Sequence, residues 1–139
     1  MDIASDLALI DRLCARDLPE AHGGSLGADA VTDPPGYHRA VLGPSDWPSA
    51  EDCYAYEAAL AERLTDRWGE PSRWGTTTLV ERLARGEHIP EPWALLGALA
   101  TELRTWPRPD DRRLTLTVVD ADGDTPLQVL VVVTTTDPP

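Results

Sequence analysis

The stretch over residues 112–136 constrains this chain most, because its pattern fixes backbone, pairing partner and buried face together. Two β-rich runs, 113–119 and 127–134, flank a cluster of Asp, Gly and Pro, which is the sequence form of a β-hairpin. In the first run Leu114, Leu116 and Val118 alternate with Arg113, Thr115 and Thr117. One face is apolar and the other mostly polar, so this strand is expected to be half-buried. In the second run Leu127, Val129, Val131 and Val133 share a face while Leu130 and Val132 occupy the other. Both sides ask for cover, which predicts an inner strand.

A two-residue turn at Asp122-Gly123 sets Val118 opposite Leu127, Leu116 opposite Val129 and Leu114 opposite Val131. It also puts Pro126 at a hydrogen-bonding pair, where proline has no N–H to give. A longer loop from Asp120, with Leu116 opposite Leu127, keeps the faces and moves Pro126 next to the turn. A one-residue slip would set Leu116 against Gln128 and is rejected.

An isolated hairpin is not independently stable, so helices must cover it. Residues 3–16 carry Ile3, Leu7, Ile10 and Cys14 at helical spacing and stop before Leu18-Pro19. Residues 21–48 are rich in Gly, Pro, Asp and Ser and read as an irregular connection with a short strand at 37–42. Ser49, with Asp52 three positions on, caps a helix that runs to Trp68 and stops at Gly69. Thr78 and Glu81 form a capping box for a short helix ending at Gly86. A further helix is predicted from Pro92 to Trp106-Pro107, its leucines and tryptophans covering nearly half its circumference. The expected fold is α+β: about four helices on a small antiparallel sheet built around the C-terminal β-hairpin, in one domain over 1–139. The third strand comes from 37–42 or from a second copy of the chain, which would make a homodimer by sheet extension.

Of 139 residues 24 are acidic and 12 basic, giving a net charge of −12. The asymmetry is strongest early: in residues 1–60 eleven acids against three arginines leave −8. Such a field repels nucleic acid and anionic lipid and speeds encounter with a basic protein partner. The chain opens acidic at Met1-Asp2 and carries no long apolar run, so the expectation is a cytoplasmic protein with no membrane span. Cys14 and Cys53 fall on the apolar sides of their helices and read as buried free thiols.

No motif here specifies a cofactor or metal. Asp120, Asp122 and Asp124 imitate a calcium loop, but Gly123 comes two positions early and Val131 stands where a bidentate Glu is required. His22, His38 and His88 lack metal-ligand spacing, and nothing in the sequence brings His38 or His88 to Cys53 as a catalytic pair. Gly23-Gly24 lacks the strand and lysine of a phosphate loop.

One carboxylate is out of place. Cys53, Tyr56, Leu60, Leu64 and Trp68 fall in a single arc of their helix, and Glu57 falls inside it. An ion pair with Arg or a hydrogen bond accounts for it structurally. A poised carboxyl in a cleft accounts for it functionally. The repeated Arg-Trp-Gly at 67–69 and 73–75 adds aromatic and cationic groups nearby in sequence. The expected function is a non-catalytic acidic interaction module, an accessory or immunity-type inhibitor of a basic partner. The alternative is a small-molecule site or modest enzyme around Tyr54, Glu57, Arg67, Trp68, Arg73 and Trp74.

Overall fold

The computed structural model describes residues 3–16, 37–44, 46–120 and 126–138. Along them run α1 (Ile3–Ala15), β1 (Tyr37–Leu42), α2 (Ala50–Trp68), β2 (Ser72–Gly75) and α3 (Thr77–Ala84). There follow α4 (Trp93–Leu99), β3 (Glu102–Arg108), β4 (Arg112–Val119) and β5 (Gln128–Thr134). The five strands form one antiparallel sheet in the order β1-β5-β4-β3-β2, so the C-terminal hairpin occupies its middle and the fold is α+β.

The hairpin keeps the expected faces but not the expected register. Leu114, Leu116 and Val118 stand opposite Val133, Val131 and Val129. The ladder starts at Val119 and Gln128, which leaves Pro126 and Leu127 outside it. All three valines of that face are used, and the missing proline N–H interrupts no ladder bond. The Asp122-Gly123 turn lies outside the described residues.

Strand β4 is buried on both faces, not half-buried as its alternation predicted, and the reason is a second helical layer. On one face Leu114, Leu116, Val118, Val129, Val131, Val133 and Trp106 pack against Ile10 and Leu13 of α1 and Cys53, Leu60 and Leu64 of α2. On the other, Val119, Leu130, Val132 and Leu103 pack against Leu79 of α3 and Trp93 and Leu96 of α4. The threonines of that second face are satisfied within the sheet. Thr105 and Thr115 share a hydroxyl contact at 3.2 Å, and the Thr117 hydroxyl donates to the Glu102 carbonyl at 2.6 Å. Buried hydroxyls with partners cost little.

The helix predicted over 92–106 is two elements. α4 ends at Leu99, Ala100 turns extended (φ −133°, ψ 158°), and β3 begins at Glu102. The turn is pinned from the end of β4: the Asp120 N–H donates to the Leu99 carbonyl at 3.0 Å, and the Thr101 N–H donates to the Asp120 carboxylate at 3.1 Å. Leu103 and Trp106, which share a helical face by spacing, lie instead on opposite faces of the sheet. The β2 strand was not expected either.

Helix caps follow chemistry where no tertiary partner competes. The Ser49 hydroxyl accepts the Asp52 N–H at 3.2 Å, as its capping pattern predicts. At α3 the expected box from Thr78 fails. The cap is Thr76, whose hydroxyl donates across to the Ala100 carbonyl at 2.7 Å, and Thr78 lies inside the first turn. The strand expected at 37–42 is present as β1, an outer strand pairing with β5. Among the described residues no helix is long and apolar enough to cross a membrane.

Candidate functional site

Helix α2 lies over β4 and β5 and meets β3 through side chains, and where its first two turns pass the start of β3 and the end of β4 the surfaces separate into an open cavity of about 170 Å³. Sheet parity explains what points into it. Arg104 pairs with Leu116 and so shares the face of α2, as do Glu102, Val118 and Asp120 at even spacing from them. Tyr54 and Glu57, three positions apart on α2, close the cavity from above.

Glu57 is 7% exposed. Its Oε2 is 3.1 Å from Arg104 Nε. Burial pushes the carboxyl above its ordinary 4.5; Arg104 pulls it back and Glu102 adds to the rise. Leu60 and Leu64 on the same helix are fully buried, contributing roughly 1.5–3 kcal/mol each, enough to hold α2 down over a carboxylate that burial disfavours.

Asp120 is the hub of the outer half. Its carboxylate accepts the Tyr54 hydroxyl at 2.7 Å, the Thr101 N–H at 3.1 Å and the Thr101 hydroxyl at 3.2 Å. The bond to Asp120 pushes the Tyr54 phenol up to about 12, so it stays a protonated donor across the physiological range. Glu102 is held by Arg73 at 2.8 Å in an exposed ion pair.

The residues singled out in the sequence therefore separate into groups. Tyr54 and Glu57 line the cavity, and Arg73 touches it through Glu102. Arg67 turns away and pairs with Asp11 of α1 at 3.1 Å. Trp68 packs edge-on against Trp106, with the Arg108 guanidinium 3.8 Å over its ring. Trp74 pairs with Leu103, on the opposite face of the sheet from Trp106, and meets Trp93 at 5.7 Å between centroids. The two Arg-Trp-Gly copies thus build separate contacts and share no stacking surface.

Nothing in the sequence marks Thr101, Glu102, Arg104 or Asp120 as site residues, since helical spacing runs through the first three and Asp120 sits in a turn-forming cluster. Trp106-Pro107 held the missed signal, since a residue before proline prefers extended backbone. Cys53 is buried nearby, and burial first, then Glu57 and Asp120, push its thiol up, opposite to what an activated nucleophile needs. His88 is exposed between α3 and α4. Of the calcium-like triad, Asp122 and Asp124 lie outside the described residues. Among the described residues no group of three or more His, Cys, Asp or Glu is placed to hold a metal ion. The chain matches no protein-family model, no curated protein and no solved structure.

Proposed function

We propose that this protein is a non-catalytic acidic module that docks on a basic surface of another protein, as an accessory factor or immunity-type inhibitor does. The observation that carries this reading is the outer face of α2. Glu51, Ala55, Ala58, Glu62 and Asp66 are all exposed, and at 3.6 residues per turn they fall within an arc of about 80° that contains no arginine. Three acids separated by low-relief alanines give a partner both charge and close approach. Tyr54, 43% exposed, borders this stripe and leads around the helix to the cavity.

Salt dependence tests it. Tagged protein should capture a basic protein from native lysate at low salt and lose most of it at 1 M, where the screening length falls from ~10 Å at 0.1 M to ~3 Å. Reversing Glu51, Glu62 and Asp66 to arginine should abolish capture. Capture that survives both changes would sink the electrostatic reading.

A second reading has one observation in its favour: Glu57 is buried, raised in pKa and open to a cavity, as an acid, base or ligand anchor would be. A metabolite that co-purifies and is released by Glu57→Gln, with no protein captured, would favour this small-molecule site.

A further inference from the structure

We propose that the cavity under Tyr54 is a socket for one arginine side chain of the basic partner; this rests on the docking reading above and gives it a contact point. The charge balance of the cavity carries the inference. Glu57 is matched by Arg104 at 3.1 Å and Glu102 by Arg73 at 2.8 Å. Among the described residues Asp120 is held by neutral donors alone, the Tyr54 hydroxyl and the Thr101 N–H and hydroxyl, and no cation pairs with it. Neutral donors orient a carboxylate without cancelling its charge. One negative charge is therefore left over, on a carboxylate whose position three hydrogen bonds already fix. Pre-set in this way, it gives up little orientational freedom when a cation arrives.

Size and lining select the cation. About 170 Å³ is well under the roughly 300–1,000 Å³ of sites that enclose whole small molecules, and it suits one inserted side chain. A divalent metal lacks its ligands, since no three acids converge closely enough among the described residues. Between the two basic side chains, the guanidinium sheds water more readily, presents a planar fork of donors and stacks on aromatic rings. Tyr54 offers such a ring at the rim and Val118 an apolar floor for the methylene stem. The cavity already accommodates one guanidinium, that of Arg104.

The test is a two-dimensional amide NMR titration with N-acetyl-arginine methylamide, using the citrulline analogue as its neutral isostere. Saturable shifts confined to Tyr54, Thr101, Glu102 and Asp120 are expected with arginine and none with citrulline. Asp120→Asn, which keeps an acceptor for Thr101, should weaken the arginine probe at least tenfold. Glu81→Gln, exposed on α3 across the sheet from the cavity, should change it less than twofold. If Asp120→Asn does not fold, Tyr54→Ala at its exposed position provides the same test with the same expected loss. Shifts scattered over the acidic surface without saturation, or a probe indifferent to Asp120→Asn or, where that variant does not fold, to Tyr54→Ala, overturn the socket. A basic partner captured equally well by wild type and by the socket variant, Asp120→Asn or its replacement Tyr54→Ala, overturns the socket while leaving the docking reading intact. An arginine probe that binds the cavity when no basic partner is captured overturns the docking reading and with it the assignment to a partner's side chain.

Discussion

At Glu57 two opposing effects meet, and their order predicts how stability follows pH. Burial raises the carboxyl more than Arg104 lowers it, so the folded protein holds this proton more tightly than the unfolded chain does. Between the ordinary value of 4.5 and the raised folded value, the native state binds more protons, and stability must fall as pH rises through that window. Above the window the loss is complete and constant. Glu57→Gln should therefore flatten this part of the stability profile and leave the protein as stable as wild type, or more so, at pH 7. Arg104→Gln should steepen it by leaving the desolvation unopposed, at a cost of about 1–3 kcal/mol at pH 7, reduced from the fully buried case because Arg104 keeps some solvent contact. Urea denaturation from pH 4 to 8 checks both. A wild-type profile that rises across this window would mean that the ion pair, not burial, dominates.

The strands carry a sharper contrast between interior and edge. Val131 is fully buried on β5, which is paired on both sides. Val131→Asp should cost roughly 4 kcal/mol or more, the range for an unpaired charge in a packed core. Val41, 47% exposed on the outer strand, should tolerate Asp with a loss of about 1 kcal/mol. Comparing urea midpoints separates them, and equal losses would contradict the strand order. The interior position of β5 was legible in its two apolar faces, and β1 and the Ser49 cap were legible in local chemistry. β3 was not. Leu95, Leu96, Leu99 and Leu103 satisfy a helical stripe as far as spacing goes, and the run is broken at Ala100 by tertiary contacts, the pairing of β3 with β4 and the bonds from Asp120. The cavity was half legible for the same reason. Glu57 stood out as a carboxylate on an apolar arc, whereas Glu102 and Arg104 acquire their common face only once β3 is a strand.

Across the whole molecule the sheet order separates near neighbours from distant ones. β2, β3, β4 and β5 sit side by side in chain order, while β1, ending at Leu42, pairs with β5, which begins at Gln128. Closing so long a loop costs entropy before any contact rewards it. The first of the five described strands in chain order is therefore the one whose partner comes last, and the rest of the sheet can assemble before β1 finds its place. Kinetics should record this order. Leu42→Ala, at a fully packed β1 position, should leave the refolding rate nearly unchanged and accelerate unfolding, whereas Leu116→Ala in β4 should slow refolding. Stopped-flow chevrons of the two variants decide it, and a refolding rate cut equally by both would place β1 in the folding nucleus. With β1 docking late, β5 passes through a stage in which its outer edge is bare, and the valine-rich ladder that later anchors the core is for that interval the surface most prone to pair with another chain.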